Sequence, residues 1–344
     1  MAEQTRGDVA PLVPDPRVLV EVRDGHDHEM NEASAAELLK VPEVYVRSGH
    51  LVEVVKAGPG ESAPIIADLQ RQTLRDLLSQ KVVYRRKREG KKIKVPVPDT
   101  VLGRLLERRG WPEGARHLVG VTETPSLRPD GTVLSQPGYD PRTGLYLDTT
   151  LKLDEEALRA PTREDAVNAC EQLLEVVCDF PFARPEARSA WLALVLSLFG
   201  RAAIDGPVPL FIADANVAGS GKSKLIDLAH LLSAGRDAAR CVAPDSEEEW
   251  PKTVMSVLLD SAALVMLDNL DIELGSQALD AVLTATSYTG RVLKGPERRT
   301  LPARTIWTAT GNNVQLRSDM RRRCLRIRLD SPVERPEERA GWQI

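Results

Sequence analysis

The sequence predicts an α/β fold: a parallel sheet flanked by helices, preceded by a smaller α+β domain. Three observations predict it. From Val208 onward the pattern becomes strand–loop–helix, with apolar strands at 208–213, 263–268, 304–310 and 325–329. The first strand enters a glycine-rich loop, Ala218-Gly219-Ser220-Gly221-Lys222-Ser223, and a helix follows at once and ends at Gly235. Polar residues follow each of the first three strands at the carboxyl end, the edge where open α/β sheets hold ligands.

The amino-terminal part is read from strand and turn signals. RVLVEV (17–22), VYVRS (44–48) and LVEVVK (51–56) are β-rich, and 69–80 is helical. Residues 81–97 suggest a hairpin turning at Glu89-Gly90. Asp99 is placed to cap a helix running to about Arg109, before Gly110. A Gly- and Pro-rich stretch, 128–148, reads as tight turns between short strands. Thr162 caps a helix over 163–179, with Val167, Leu173, Leu174, Val176 and Val177 suited to a buried face. Pro185 starts a second, apolar helix reaching Ile204. Ser246 with Glu249 fits a capping box for a helix to about Ser261, unless Pro251 marks its first turn. The expected domains are a flexible segment over 1–40, an α+β accessory domain with a basic hairpin over 41–160, a helical segment over 161–205, the sheet core over 206–335 and a tail over 336–344.

Composition limits the class. At 344 residues and 42% apolar, the chain is long enough for about two domains and too apolar to be wholly disordered. A net charge of −4 excludes a uniformly basic coat for nucleic acid, yet charge is segregated. Residues 81–94 carry eight Lys/Arg and one Glu; residues 291–328 carry eleven Arg/Lys and two acids. Two polyanion-facing surfaces on an acidic body are the expectation. The 81–94 hairpin suits phosphate contacts, or else it is a charged edge guarded against aggregation. The start lacks a secretory signal, and the longest apolar run, 191–200, is too short to span a bilayer. A cytoplasmic protein with no membrane partner is expected. The four Cys form no CxxC pair and are expected as ordinary buried thiols. His26-Asp27-His28 reads as a solvated turn rather than a metal site, because no further ligands recur nearby.

The loop at 218–223 has the chemistry of a phosphate cradle. Glycines let successive amides point inward, the helix N-terminus adds partial positive charge, and Lys222 adds a full one. Ser223 is placed to put its hydroxyl on Mg²⁺. The strict pattern has glycine at position 216; Asn216 stands there, and Asn tolerates positive φ. The second strand delivers Asp268, 46 residues after Lys222, as a second metal-facing group, the Walker B logic. The third ends in Gly311-Asn312-Asn313, where an amide can orient water or sense a γ-phosphate. Arg321, Arg322 and Arg323 precede the fourth strand, and arginine near a transferred phosphate stabilises its charge. Between the second and third strands, Arg291, Lys294, Arg298 and Arg299 lie at or near the tip of a candidate hairpin suited to gripping a phosphodiester backbone.

In this order, GSGKS (219–223), VMLDN (265–269), SYTGRVLKG (287–295), TATGNN (308–313) and DMRRR (319–323) resemble superfamily 3 helicases. The nearer likeness is to primase-helicase proteins of phages, plasmids and integrated elements, whose segment before the ATPase module is similar to PGYDPRTGLYL (137–147). The resemblance implies an AAA+-like P-loop ATPase core, ATP and Mg²⁺ as cofactors, a homo-oligomer (commonly a hexameric ring) and single-stranded DNA as partner. It also implies work beside a separate primase or other replication proteins. Carried over by motif, Lys222 and Ser223 bind phosphate and Mg²⁺, Asp268 is the Walker B acid and Asn312 the polar sensor. Lys294 is the hairpin contact to DNA, and Arg322 or Arg323 the finger offered to a neighbour. Three departures stand out: Asn216 for the first glycine, Asn269 where many such proteins carry a catalytic Glu, and no recognisable primase domain upstream with an early end downstream. With Asn269 unable to act as a base, either Asp268 or Asp271 assists the water or hydrolysis is slow. The expected function is an ATP-dependent DNA helicase or translocase of a phage or mobile element. The alternative is an ATP-switched assembly or loading module with little hydrolysis, and a weaker third is a DNA-binding protein with a decayed site.

Overall fold

The structure is a computed structural model describing residues 15–56, 64–151, 153, 160–292, 297–317 and 319–338. The chain divides into two compact units: Met1–Glu53 with Asp68–Arg116, and Val54–Ala67 with His117–Ile344.

The first unit's elements, with β3 and β4 crossing its boundary, are β1 (Val18–Val22), α1 (Asp27–Leu38), β2 (Tyr45–Arg47), β3 (His50–Val55), β4 (Ile65–Asp68), α2 (Arg71–Lys81), β5 (Val82–Arg88), β6 (Lys91–Val95) and α3 (Asp99–Glu107). β1 pairs parallel with β5, and β5 pairs antiparallel with β6. Met30 and Leu38 of α1, Leu74 and Leu78 of α2 and Leu102 of α3 share a core with Val20 and Tyr84. Residues 18–38 are therefore packed structure, where the sequence predicts a flexible segment. The helix is faint in sequence because half of its buried positions, Ser34 and Ala35, are small or polar. Ser34 can be buried because its hydroxyl donates to the Met30 carbonyl and meets the Tyr84 hydroxyl, each at 2.7 Å. Asp27 and His28 begin α1 instead of forming a turn. Asp99 does not cap α3; it lies in the first turn and accepts from Arg71 and Arg75 at 2.9 and 2.8 Å.

The second unit opens with short strands: β7 (Gly120–Thr122), β8 (Ser126–Leu127), β9 (Val133–Leu134), β10 (Gly138–Asp140) and β11 (Leu145–Leu147). They belong with the sheet core rather than with the accessory domain, so the divide expected near Pro161 falls inside this unit. α4 (Arg163–Glu175) has the expected cap, a reciprocal box between Thr162 and Asp165, yet none of its residues is buried. Val177, just past its end, carries the burial expected of its face. α5 (Pro185–Gly200) buries Trp191, whose indole donates to the Leu225 carbonyl at 2.9 Å.

The core follows as β12 (Leu210–Ala215), α6 (Lys222–Ala234), β13 (Ala239–Cys241), α7 (Trp250–Asp260), β14 (Leu264–Leu270), α8 (Gln277–Val282), β15 (Ser287–Arg291), β16 (Arg298–Pro302), β17 (Ile306–Asn312) and β18 (Cys324–Leu329). Five strands form one sheet, order β13-β14-β17-β12-β18, with every neighbouring pair parallel. This is the predicted α/β class: a parallel sheet with helices packed on both faces. β12 lies inside it, between β17 and the edge strand β18. Leu210 and Ile212 pack on one face with Trp250, Val254 and Leu279; Phe211 and Ala213 pack on the other with Trp191, Leu225 and Ile226. A strand covered on both faces reads as an unbroken apolar run, which is why β12 was visible in sequence. α7 starts at Trp250 with Pro251 in its first turn, and the Ser246–Glu249 capping box does not form.

Cys178 is exposed and Cys170, Cys241 and Cys324 are half-buried, so none is a fully buried thiol; burial nonetheless pushes the Cys324 thiol up to about 12. Among the described residues, no helix is long and apolar enough to cross a membrane.

Candidate functional site

The site is built at the carboxyl ends of β12, β14, β17 and β18. Chain crossovers bring these ends together: β12 and β17 are neighbours although some ninety residues separate them, and β18 lies on β12's other side.

The loop after β12 turns on glycines. Gly219 and Gly221 hold φ of +71° and +83°. Gly221 is the N-cap of α6, and a Cβ there would lie 2.9 Å from the Phe180 ring. Positive φ and lack of room both require glycine. The Ser220 hydroxyl donates to the Val217 carbonyl at 2.7 Å, closing the loop beside Ala218. Asn216 plays a different part from the one expected. Its φ is not positive; its side-chain amide donates to the Ser331 carbonyl and accepts from the Ser331 amide, both at 3.0 Å. It fastens the loop's start to the chain leaving β18.

Lys222 and Ser223 open α6 and face the neighbouring strand ends. The Lys222 ammonium donates to Asn312 Oδ1 at 2.8 Å, and the Ser223 hydroxyl donates to Asp268 Oδ1 at 2.7 Å. Thr310 donates to the same carboxylate oxygen at 2.6 Å. Arg240 Nε lies 3.4 Å from Asp268 Oδ2, while its Nη2 donates to Asp227 at 2.7 Å. Burial pushes the Asp268 carboxyl up, but the Thr310 and Ser223 hydroxyls and the Arg240 guanidinium outweigh it and hold it below the usual carboxylate range. Burial lowers the Lys222 ammonium, opposed by the charges of Asp214 and Asp268.

A bulge aims the carboxylate. The β14–β17 register shifts between Leu267 and Leu270, and Asn269 within it has φ +56°. The Asn269 backbone N–H donates to Thr310 Oγ1 at 2.8 Å, so the hydroxyl that holds Asp268 is itself held. Asn269 thus serves the backbone, with an exposed side chain; Asp271 is exposed after β14.

Beneath these groups lies a further carboxylate, outside the residues that the sequence motifs single out. Asp214 of β12 has no exposed surface and accepts from Arg326 at 2.9 Å, Arg328 at 2.8 Å and the Val314 amide at 3.1 Å. Arg328 also donates to Asn313 Oδ1 at 3.0 Å, tying β18 to the β17 end that carries Asn312. Asp214 was legible in principle, as the lone charge in the apolar run PLFIADA; Arg326 and Arg328 alternate in LRIRL as residues of one strand face. Nothing in the sequence ties Arg240 or Thr310 to Asp268.

Two candidate groups are spread more widely. Arg323 forms an ion pair with Asp280 of α8, which holds it within its own chain. Arg322 is 83% exposed and, among the described residues, pairs with Asp319 alone, three residues before it. In the β15–β16 hairpin, Arg291 and Arg298 are exposed and directly opposite in register. Arg299 is 11% exposed and lies 3.5 Å from Glu297, so it points inward rather than off the surface. Lys294 lies outside the described residues.

The donors suit a phosphate-bound divalent cation better than a protein-caged one. One hydroxyl and one carboxylate converge, and among the described residues no cluster of three or more His, Cys, Asp or Glu could hold a metal. Mg²⁺ is commonly bound in this way, by one or two carboxylates with water and substrate phosphates completing its shell.

No protein-family model matches the sequence, and no curated protein matches it. Among solved structures, the JC virus helicase is similar in part. Its X-ray structure aligns at 16% identity and TM-score 0.28, covering 52% of this chain and 55% of that one. Two inhibitor- or compound-bound forms of the same helicase align at 16% identity, with TM-scores of 0.26 and 0.30 and 51% of this chain covered. The chain spans about half the length of the helicase it matches, and likeness at this level leaves the chemistry to the site's own geometry.

Proposed function

We propose that the second unit is a nucleoside-triphosphate hydrolase that drives movement along nucleic acid, an ATP-dependent DNA helicase or translocase. One observation carries the proposal: Lys222 and Ser223, consecutive at the start of α6, reach Asn312 and Asp268 at the ends of two other strands of one parallel sheet. An ammonium, a hydroxyl, a carboxylate and an amide thereby converge beside a loop with two left-handed glycines.

In this reading the amides of 219–223 and the Lys222 ammonium bind the β- and γ-phosphates of ATP. Ser223 and Asp268 hold Mg²⁺, whose charge offsets that of the phosphates. Thr310 and Arg240 keep Asp268 ionised and oriented. Asn312, released from Lys222, orients water toward the terminal phosphate. Arg322, exposed and unburdened by packing, is the finger offered to a second copy in a ring, whereas Arg323 is engaged with Asp280. Arg291 and Arg298 contact single-stranded DNA.

The test is hydrolysis of ATP by the full chain with Mg²⁺, with and without single-stranded DNA. The helicase reading expects turnover that DNA stimulates and that Lys222→Ala abolishes. A second reading is favoured by Asn269, whose amide cannot accept a proton and whose backbone is committed to the bulge. It is an ATP-switched assembly or loading module, in which ATP drives oligomerisation or DNA binding with negligible turnover. Strand displacement excludes it.

A further inference from the structure

We infer that the β5–β6 hairpin of the first unit is a second nucleic-acid site, one that grips the backbone of duplex DNA independently of nucleotide.

The hairpin is anchored at its root and bare beyond it. Val82, Val83 and Tyr84 are buried, and Tyr84 is fixed by Ser34; residues 86–94 are exposed throughout. Glu89 and Gly90 have φ of +50° and +79°, the two-residue turn whose twist matches paired strands, so the ribbon has a defined shape.

Its charges are arranged at a cost. The register sets Arg85 opposite Lys94, Lys87 opposite Lys92 and Arg88 opposite Lys91: three like-charge pairs in a five-pair ladder. Directly opposed like charges destabilise a hairpin. Neutralisation within the protein is partial. Lys92 is paired with Glu21, and Arg86 and Lys94 lie 3.9 Å from Asp24 and Asp15. Among the described residues, no carboxylate comes within ion-pair distance of Arg85, Lys87, Arg88 or Lys91.

Protection of a sheet edge explains only part of this. β6 is the edge strand, since the order is β1-β5-β6, and lysines at 91, 92 and 94 would guard it. Arg85, Arg86, Lys87 and Arg88 lie on β5, which pairs with β1 along Val82–Arg86 and needs no guard there. A polyanion relieves the repulsion on both strands.

The form of the patch selects a duplex. Its one aromatic side chain, Tyr84, is 2% exposed, so the exposed ribbon offers no stacking platform for unpaired bases. It has one exposed apolar residue, Ile93, too little for insertion into a lipid surface. A two-stranded ribbon about 5 Å between strands enters a major groove about 12 Å wide, placing basic side chains against both flanking phosphate rows.

The experiment measures binding of the full nucleotide-free chain to a labelled duplex, the matching single strand and phosphatidylserine vesicles, at 50–200 mM salt. Arg85→Gln, Lys87→Gln, Arg88→Gln and Lys91→Gln are combined in one variant, with the single variant Lys87→Gln and Lys222→Ala alongside. Four phosphate contacts imply a salt slope about 3 to 4 smaller for the combined variant. Duplex affinity should then differ about 100-fold less between the two salt limits. Lys87→Gln should lower the slope by about 1, and Lys222→Ala should leave it unchanged. Because the last variant removes the nucleotide site, failure of the ATPase proposal and of this one are distinguishable. An unchanged slope in the hairpin variants overturns the inference, as does a loss confined to the single strand or to vesicles. Should the combined variant melt at markedly lower temperature than wild type, the single variant decides.

Discussion

Ser223 at the start of α6 and Asp268 near the end of β14 stand 45 residues apart in sequence and 2.7 Å apart in space, hydroxyl to carboxylate. The contact depends on the parallel sheet and on the bulge that turns Asp268 toward α6. Asp268→Asn keeps the shape and removes the charge. It should lower Mg²⁺-dependent hydrolysis by about 100-fold or more, comparable to losing one transition-state electrostatic partner. ATP turnover at saturating Mg²⁺ checks this, and chelation of Mg²⁺ should reproduce it in wild type.

Asn269 carries a backbone demand that Glu meets poorly. At φ +56°, Asn269→Glu should cost about 1 kcal/mol or somewhat more, while Asn269→Gly should be neutral. Chemical denaturation measures both. If a missing base limits turnover, Asn269→Glu also raises the rate despite the lost stability.

Asp214 is the site's buried foundation. Asp214→Asn leaves Arg326 and Arg328 without their shared carboxylate, with 43% and 31% of their side chains in solvent. The expected loss is about 2 to 3 kcal/mol, less than for a fully buried pair because both guanidiniums reach water. Replacing Arg326 alone should cost less, since Arg328 remains.

His230 gives the fold a pH dependence. Its Nδ1 donates to the Arg236 carbonyl at 2.9 Å, and burial holds its pKa below the ordinary value of 6.5. The unfolded chain therefore takes up a proton that the folded one refuses. Stability is complete above about pH 6.5 and declines as pH falls toward the lowered folded value, by at most about 1.4 kcal/mol per pH unit. His230→Asn should flatten the fall in melting temperature between pH 7.5 and 5.5; an unaltered slope would assign it to other groups.

Legibility in the sequence followed burial pattern. β12, β14 and β17 are apolar on both faces and stood out; their carboxyl ends could be aligned because chain order and loop chemistry agreed. The Glu89-Gly90 turn is legible through Gly90, whose φ of +79° suits glycine, between two β-rich runs; Glu89 at φ +50° gives no such signal. α1 was hidden, since Ser34 is buried through a hydroxyl partner 50 residues away. The face predicted for α4 moved to Val177 beyond its end, because periodicity marks an apolar stripe without marking where a helix stops. Side-chain chemistry alone does not reveal the roles of Asn216 and Asn269: one clamps Ser331 and the other is a left-handed hinge. Arg240, Thr310 and the Asp214 pairings depend on which strands become neighbours, which sequence spacing does not encode.

Every role proposed for the second unit requires a triphosphate seated against Lys222. Calorimetric titration of the full chain with a non-hydrolysable ATP analogue, with and without Mg²⁺, tests it most directly, with Lys222→Ala as the partner measurement. Mg²⁺-dependent binding by wild type, lost in a variant that melts at the same temperature, is the expected result. Equal binding by both proteins, or none by either, contradicts it.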